Sequence, residues 1–543
     1  MSVVIEAPPL AAAPGPGRRA PRQRAATAVD AIDLRSQVDE IVHRRPSVGL
    51  AVGVVRRGRL EGFAGHGLAS IAAGTPVTED TVFRIGSVTK LFTAIAVMQL
   101  WEDGRIDLDA PVNDHLRAYR LVPAQTGFRP ATVRHLLTHT AGIPEVVHLG
   151  DLLHPGWGGF MSRPAISSVA VGAPMPSLAK YYRDGLRFVV EPGTTFAYSN
   201  HGFATLGQII EDVTGQPLDR VLRERIFEPL GMADTDLLRS ERVRAGLASG
   251  YELGSRGPEA VTDRDWLGRG GSGIYSTTRD LARFVAALLA GGAGERGRIL
   301  RPETLATMFE PHHQPDPRLP GIGLAFFRGE LDGHRIVEHD GLLPGFTTLL
   351  AIAPADDIGI VAMTSGSNGA MAWLPIELRR LLRQLLDLPV ERMSPDVPHQ
   401  PARWSALCGE YRLPPRISDL RGRLILSAVE VSVRGGRLVA RLRTRVPALS
   451  ATAELLPDDP EDPDCFRVDL SSIGMPVVRV AFARDAGGRV TAAHTDLMML
   501  SLQKVPQTSG PSPWLVGAAA AATIATAVRL ARRRSRTRKG ESR

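Results

Sequence analysis

Two regular patterns of apolar and polar positions fill the stretch from residue 31 to residue 388. The continuous apolar run from Leu91 to Trp101 predicts a buried helix, whereas apolar residues at helical spacing over 203–213 predict an amphipathic one. Closely spaced apolar runs joined by short turns predict the strands of an antiparallel sheet. These runs are 49–55, 347–352 and 358–363. A further helix predicted over 371–386 can pack on that sheet.

Beyond residue 388 the pattern changes. Residues 389–403 are rich in proline and are predicted to be a linker. Short β runs separated by glycine pairs follow over 404–506, so a small β domain is expected there. A second linker is predicted over 507–513. Residues 1–30, rich in Ala, Pro, Gly and Arg, are predicted to be disordered.

The last part of the chain joins an apolar stretch to a basic end. Residues 514–531 would measure about 27 Å as a helix, slightly short of the bilayer core of about 30 Å. A tryptophan begins the stretch and arginines follow it, as in a membrane-spanning helix. We therefore expect a membrane-anchored protein with 532–543 as a basic tail. An alanine-rich surface helix is the alternative.

The two ends of the chain give conflicting signals about orientation. The positive-inside rule would place the basic tail in the cytoplasm and the body of the protein outside the cell. No secretory signal peptide is evident, since no continuous apolar stretch follows a basic start. An extracytoplasmic body is the expectation, and its orientation stays open.

The charge distribution excludes one class of partner. Of the formal net charge of +8, residues 529–543 contribute +7 and residues 1–25 contribute +3, which leaves −2 for the body. A near-neutral body with basic ends is not the pattern of a nucleic-acid-binding protein. We expect a small-molecule or peptide substrate and no nucleic acid, and the sequence leaves the oligomeric state open.

Motifs for metals and cofactors are missing from the sequence. There is no His-Glu-x-x-His, glycine-rich phosphate loop or Gly-x-Ser-x-Gly elbow. The two cysteines, Cys408 and Cys465, are too few for a cysteine zinc cluster. His135 and His139 have a spacing that suits a metal, but no carboxylate or third histidine completes a site, so structural hydrogen bonds are favoured. Neither a metal nor a cofactor is expected.

A short motif at the start of the predicted buried helix carries candidate chemistry. Ser87-x-x-Lys90 places a hydroxyl at a helix start and an amine one turn further on, on the same face. The apolar helix desolvates Lys90, which favours the neutral amine that can accept a proton. The chain has only four lysines among 65 Lys and Arg residues, so a lysine in an apolar helix indicates a use. A capping serine with a snorkelling lysine is the alternative.

The same motif occurs a second time, and there a capping serine with an exposed lysine is the better interpretation. Ser177-x-x-Lys180 follows a proline-rich stretch and precedes two tyrosines and an arginine. This is the sequence of an ordinary helix start with an exposed lysine.

A turn before the predicted amphipathic helix delivers Tyr198 and Asn200. A tyrosine between cations loses its proton more easily and can pass it to a leaving group. Asparagine occurs only three times in the chain, which makes Asn200 informative. A buried tyrosine beside a capping asparagine is the alternative.

Four motifs taken together resemble the serine β-lactamase-related family, which includes class C β-lactamases, D-alanyl-D-alanine carboxypeptidases, D-aminopeptidases and related esterases. The motifs are Ser87-x-x-Lys90, His135 to Gly142, Pro192 to Asn200 and His339-Asp340-Gly341. The resemblance covers about residues 31–388. It implies an α/β (α+β) fold in which an antiparallel sheet flanked by helices lies beside an all-helical subdomain, with the site between them. It also implies that 404–506 form a lipocalin-like β-barrel.

The resemblance implies a role for each candidate residue. Ser87 is the implied nucleophile that becomes acylated, and its own backbone N–H is an implied oxyanion donor. Lys90 and Tyr198 are jointly implied to handle the proton, and Asn200 to orient the amide or ester of the substrate.

The last of the four motifs, His339-Asp340-Gly341, departs from the family pattern. His339 stands where many members carry the lysine of a Lys-Thr-Gly strand, and histidine is mostly neutral at pH 7. Asp340 replaces the threonine and adds a negative charge, although its side chain is expected on the opposite face of the strand. The N–H of Leu342, just beyond Gly341, is the implied second oxyanion donor. The change from lysine to His339 and the change from threonine to Asp340 weaken the case for efficient penicillin hydrolysis.

Three hypotheses from different classes remain. The first is a membrane-tethered serine hydrolase that acts through an acyl-serine intermediate on an ester or a small D-amino-acid amide or peptide. The second is a β-lactamase or D-alanyl-D-alanine carboxypeptidase with the same chemistry. The third is a non-catalytic binding or scaffold protein, which is disfavoured because the reactive residues are all intact.

Overall fold

The computed structural model describes residues 33–145, 147, 168–391, 393, 397–414, 426–445 and 450–506. The helices in this part of the chain are α1 (Leu34–Arg44), α2 (Thr89–Glu102), α3 (Val112–His115), α4 (Val133–Leu137), α5 (Leu178–Tyr181), α6 (Asn200–Thr214), α7 (Leu218–Leu222), α8 (Glu228–Leu230), α9 (Glu241–Gly246), α10 (Arg269–Ser272), α11 (Thr278–Leu289), α12 (Pro302–Phe309), α13 (Ala370–Leu385) and α14 (Pro401–Leu407). A 3₁₀ turn, Gly86–Val88, leads into α2.

The strands of the same residues are β1 (Gly49–Arg56), β2 (Arg59–Ser70), β3 (Thr75–Pro76), β4 (Phe83–Arg84), β5 (Leu121–Pro123), β6 (Ser168–Ala170), β7 (Leu186–Phe188), β8 (Tyr251–Gly254), β9 (Gly257–Ala260), β10 (Arg264–Trp266), β11 (Tyr275–Ser276), β12 (Phe327–Leu331), β13 (His334–Leu343), β14 (Phe346–Ala353), β15 (Ile358–Ser365), β16 (Gly409–Arg412), β17 (Leu426–Arg434), β18 (Arg437–Thr444), β19 (Thr452–Pro457), β20 (Cys465–Asp469), β21 (Val477–Arg484), β22 (Val490–Thr495) and β23 (Ser501–Lys504).

A seven-stranded sheet lies at the centre of the body, in the order β12-β13-β14-β15-β1-β2-β3. Each strand pairs antiparallel with its neighbour, as the closely spaced apolar runs predict. Val52 of β1 lies opposite Ala362 of β15, and Leu350 of β14 lies opposite Val361. β14 and β15 are buried along their whole length, so both of their faces are covered by other elements.

The two faces of the sheet meet different helices, because side chains alternate along each strand. Val52 and Ala362 pack in one cluster with residues of α1 and α13. Leu350 and Val361 belong to a second cluster, which includes residues of α2 and α11 and extends into the helical region.

Helix α2 is enclosed on all sides, since every residue from Thr89 to Leu100 is buried. A helix without a polar face is stable only inside the protein. Phe92 of α2 stacks on Phe284 of α11 at 4.2 Å between ring centres and meets the edge of Phe227 at 5.7 Å. The first turn of α2 contacts α6 and α10, and the 3₁₀ turn before it packs on β13 and β14 of the sheet.

The C-terminal strands β16 to β23 close into an eight-stranded barrel. Its interior is filled by a separate apolar cluster that includes Trp404, Tyr411 and Phe482. Arg318 of the body pairs with Asp462 of the barrel at 3.2 Å. The predicted fold class is confirmed: a mixed α/β body with an antiparallel sheet and flanking helices, followed by a small β-barrel.

The predicted membrane anchor is wrong for the part of the chain that the structure describes. Its longest helix, α13, has 16 residues and carries several arginines, so it is too short and too polar to cross a bilayer core of about 30 Å. No other described helix meets the length and hydropathy of a span either. The membrane-spanning helix, the membrane as a partner and the anchored extracytoplasmic location are corrected accordingly. The segments on which they depended, 514–531 and 532–543, lie outside the described residues, as do 1–30 and 507–513.

Candidate active site

Ser87 occupies the 3₁₀ turn that leads into α2. Strand β4 anchors the turn from one side, because it pairs with β11 and the N–H of Ile85 donates to the carbonyl of Ile274 at 3.1 Å. The Ser87 side chain is partly exposed, whereas the residues on both sides of it are buried. Its hydroxyl oxygen lies 2.9 Å from the Nζ of Lys90, one turn further on.

The amine of Lys90 is fully buried and has two further partners. It donates to the Oδ1 of Asn200 at 2.7 Å and to the carbonyl oxygen of Gly271 at 2.7 Å. Burial, opposed by the negative charges of Glu145 and Asp340, lowers the pKa of Lys90 to about 7. A substantial fraction of the molecules therefore has a neutral Lys90 amine at pH 7. An amine in this state can exchange a proton with a neighbouring hydroxyl.

Helix α10 carries the Gly271 carbonyl to this point. Thr93 of α2, one turn beyond Lys90, donates its hydroxyl to the carbonyl of Gly270 at 2.7 Å. The hydroxyl of Thr89 accepts the N–H of Ile274 at 3.1 Å. Polar residues of α2 thus hold both ends of the short helix against the amine.

Tyr198 and Asn200 reach the same place from the start of α6. Ser199 is the N-cap of α6, and its hydroxyl accepts the N–H of Gly202 at 3.4 Å. Asn200 is the first residue of the helix, with its amide next to Lys90. The ring centre of Tyr198 lies 4.9 Å from the Nζ of Lys90.

His135 and His139 make structural hydrogen bonds. His135 Nδ1 accepts the N–H of Thr132 at 3.1 Å in the capping box of α4. His139 Nδ1 accepts the N–H of Ser199 at 3.1 Å, and its ring stacks on Tyr198 at 4.3 Å between centres. Burial and the neighbouring Lys90 hold the pKa of His139 well below its usual value. A neutral His139 therefore supports the ring of Tyr198 from behind.

The backbones of the Ser87 turn and of β13 are pressed together. A Cβ on Gly341 would lie 2.0 Å from the carbonyl oxygen of Ile85 and 3.0 Å from the N of Ser87. Gly86, with a φ of +53°, has equally little room, since a Cβ there would lie 2.7 Å from the N of Leu342. Only glycine permits this approach. It brings the backbone nitrogen of Leu342 close to Gly86 and that of Ser87 close to Gly341.

The cation position of the family motif holds a neutral histidine. His339 is fully buried, its Nδ1 lies 2.6 Å from the carbonyl oxygen of Asp340, and its ring meets the edge of Phe327 at 5.3 Å. Burial and the nearby Lys90 lower the pKa of His339 to about 3. Asp340 keeps 34% of its side chain exposed, and burial of the rest raises its pKa to about 6. At pH 7 this position therefore has no cation and one carboxylate.

Two contacts of the site were not predicted from the sequence. Glu145 is buried and accepts both the backbone N–H and the side-chain N–H of Asn200, at 2.8 and 2.5 Å. A lone acidic residue directly after Gly142-Ile143-Pro144 is the signal that could have indicated it. The carbonyl of Gly271 has no such signal, because any residue type offers a carbonyl.

Comparisons with known proteins show which family the chain resembles. The family model described as Beta-lactamase matches residues 34–384. Penicillin-binding protein 4 of Amycolatopsis lactamdurans is 31% identical over 386 residues, which cover 68% of this chain and 93% of that protein. Esterase EstB of Burkholderia gladioli is 30% identical over 341 residues, which cover 56% of this chain and 82% of the esterase.

Solved structures extend the likeness to the barrel. The octameric penicillin-binding protein homologue from Pyrococcus abyssi is 25% identical, with a TM-score of 0.54, and the match covers 87% of this chain and 99% of that one. The family model alone covers more than half of the chain. The resemblance predicted from the four motifs is confirmed, and the chain belongs to the β-lactamase family.

Proposed function

We propose that the chain is a serine hydrolase that acts through an acyl-Ser87 intermediate on an ester or a small D-amino-acid amide or peptide. The observation that carries the proposal is the set of three partners around the Lys90 amine: the Ser87 hydroxyl, the Asn200 carbonyl and the Gly271 carbonyl. The buried amine is uncharged in about half of the molecules at pH 7.

A neutral amine has two N–H groups and one lone pair. Carbonyl oxygens only accept hydrogen bonds, so Asn200 Oδ1 and Gly271 O take the two N–H groups. The lone pair is then left for the third partner, the hydroxyl of Ser87 at 2.9 Å. Lys90 can therefore take the serine proton as Ser87 Oγ attacks a substrate carbonyl.

The remaining steps use groups next to this pair. The N–H groups of Ser87 and Leu342, whose backbones lie against each other, would stabilise the carbonyl oxygen as it gains negative charge. Tyr198, with its ring 4.9 Å from the Lys90 amine, would pass the proton to the leaving group. The alcohol or amine then departs. Water next attacks the acyl-Ser87 ester, the bond to Ser87 Oγ breaks, the carboxylic acid is released and Ser87 regains its proton.

The charge around His339 favours substrates without a carboxylate at that position. A neutral His339 offers no ion pair to such a carboxylate, and the charge of Asp340 repels it. We therefore place an ester, or an amide without a free carboxylate there, ahead of penicillins and peptides ending in D-alanine. The relatives include both a penicillin-binding protein and an esterase, so a β-lactamase or carboxypeptidase activity stays the second candidate.

Covalent labelling separates these candidates in one gel. Purified full-length protein is incubated with a fluorescent fluorophosphonate and, separately, with a fluorescent penicillin. We expect labelling by the fluorophosphonate and weak labelling by the penicillin. Ser87→Ala should abolish the labelling, whereas Ser177→Ala, in the second copy of the motif, should leave it unchanged.

Each other result decides between the candidates. Strong, stable labelling by the penicillin would favour the carboxypeptidase, and rapid turnover of a penicillin the β-lactamase. No labelling by either reagent would support a non-catalytic binding protein. Full turnover of p-nitrophenyl esters by Ser87→Ala would overturn the proposal.

A further inference from the structure

Glu145 is a buried acidic residue that the catalytic steps above do not use. Its side chain lies in the segment after α4 and is 1% exposed. Both carboxylate oxygens face the start of α6: Oε2 accepts the backbone N–H of Asn200 at 2.8 Å, and Oε1 accepts the Asn200 Nδ2–H at 2.5 Å. A charged group in this position is held by charge-assisted hydrogen bonds, which are the strong ones.

This contact decides how the Asn200 amide is turned. An amide has a donor end and an acceptor end of nearly the same shape. Because the carboxylate accepts hydrogen bonds only, it holds the NH₂ end, and the oxygen must then point the other way, to Lys90 at 2.7 Å. In the flipped orientation Oδ1 would face the carboxylate, so two acceptors would oppose each other. Nδ2–H would then face Lys90 and compete with Ser87 for the lone pair of the amine.

We propose that Glu145 is a positioning residue: it holds the Asn200 oxygen on one N–H of Lys90 and so leaves the lone pair of the amine directed at Ser87. The proposal rests on the proposed acyl-Ser87 chemistry. Glu145 touches neither Ser87 nor a reacting atom in this scheme. It acts through Asn200.

The charge of Glu145 gives the proposal a readout of its own. The negative charges that act on Lys90 are those of Glu145 and Asp340, and both favour the protonated amine. His139 and His339 also lie near the amine, but both have pKa values below the working range and stay neutral. The ring of Tyr198 covers another side. Removing the charge of Glu145 should therefore lower the pKa of Lys90 further.

The test is a double-mutant cycle measured across the pH range in which Lys90 titrates. Wild type, Glu145→Gln, Asn200→Ala and the double variant are compared by kcat/KM for a p-nitrophenyl ester and by the rate of fluorophosphonate labelling. We expect Glu145→Gln to lose about a hundredfold in kcat/KM, because the geometry of the base is disturbed. The acid limb of the pH profile of kcat/KM should move to lower pH by about one unit in this variant. In the Asn200→Ala background the same change should cost less than about threefold.

Asp280 provides the matched control. It is also a fully buried carboxylate at the start of a helix, and it accepts the N–H of Asp234 at 2.8 Å and the hydroxyl of Thr235 at 2.9 Å. Its charge is not among those that act on Lys90. Asp280→Asn should lower stability and leave the acid limb in place, so a shift in Glu145→Gln cannot be a general result of losing a buried carboxylate.

Two results would overturn the proposal: an unshifted acid limb in Glu145→Gln, or an equal loss in the Asn200→Ala background. If Glu145→Gln does not fold, as judged by circular dichroism, Glu145→Asp takes its place in the cycle. It keeps the charge but shortens the side chain, so the acid limb should stay while the loss still depends on Asn200. Failure of the proposed function itself looks different, since wild-type protein would then not be labelled at Ser87 at any pH.

Discussion

At the scale of single residues, the chain contains a comparison between a buried and an exposed Ser-x-x-Lys motif. Ser177 caps α5 by accepting the N–H of Lys180 at 3.2 Å, and the Lys180 side chain is exposed, as its sequence context predicts. Lys90 has the same spacing from its serine but lies inside a helix that is buried all round. The two motifs thus differ in the burial of the lysine and not in the spacing from the serine.

The pH dependence of catalysis follows from the burial of Lys90. Its pKa is lowered to about 7, so the neutral amine needed as a base disappears as the pH falls below that value. We expect kcat/KM for a neutral ester to fall about tenfold per pH unit on the acid side. Lys90→Arg should lose about a thousandfold at pH 8, because a guanidinium stays protonated. Lys180→Arg is the control and should match wild type. An activity that persists in Lys90→Arg would contradict the assignment of the base.

We expect the charge of the preferred substrate to depend on His339. Burial keeps His339 itself uncharged, with a pKa of about 3, whereas a lysine there would put a cation where a substrate carboxylate would lie. We expect His339→Lys to raise the rate of acylation by a penicillin relative to a p-nitrophenyl ester by about tenfold, as one charge-assisted hydrogen bond allows. His339→Gln, which is polar but neutral, should leave the ratio near that of wild type. An unchanged ratio in His339→Lys would show that this position does not face the carboxylate.

At the scale of elements, the site depends on how closely β13 approaches the Ser87 turn. Gly341→Ala would place a methyl group 2.0 Å from the Ile85 carbonyl oxygen and force the two backbones apart. We expect kcat to fall about a hundredfold or more, as for loss of an oxyanion donor. Gly254→Ala in β8, where the nearest atom is 3.6 Å away, is the matched control. Equal activity of the two variants would mean that the N–H of Leu342 is not an oxyanion donor.

The elements also show how far the sequence determines the structure. Helix α2 and strands β14 and β15 were predictable because each is a local apolar run, and the order of the motifs placed Ser87, Asn200 and His339 in one site. The contacts that Glu145 and Gly271 make were not predictable, since these residues meet Asn200 and Lys90 across 55 and 181 residues of chain. Only the packing of α6 and α10 on α2 brings them there. A local pattern carries no information about which distant carbonyl or carboxylate will complete a site.

At the scale of the whole molecule, a segment before β12 contacts the barrel. Arg318 in this segment donates to Asp316 at 2.7 Å, to Asp462 of the barrel at 3.2 Å and to the carbonyl of Phe482 at 2.8 Å. Leu319 packs beside it on Cys465 and Ala481 of the barrel. The same segment leads into Phe327, whose ring packs on His339. The segment that contacts the barrel is therefore continuous in sequence with Phe327, which packs on His339.

Removing Arg318 tests this junction. Asp316 is buried, with 5% exposure, and Arg318→Ala would leave its carboxylate without the guanidinium. We expect a loss of about 2 kcal/mol in the free energy of unfolding, measured with urea, because Oδ2 of a buried carboxylate loses its donor while Oδ1 keeps the backbone N–H of residue 318. Limited proteolysis should separate the barrel from the body faster than in wild type. Arg335→Ala breaks an ion pair of similar length, 2.8 Å, between two exposed side chains, and it should cost less than about 0.5 kcal/mol. Should the two variants prove equally stable, the barrel would be held by its apolar contacts and the Arg318 ion pairs would contribute nothing to the junction.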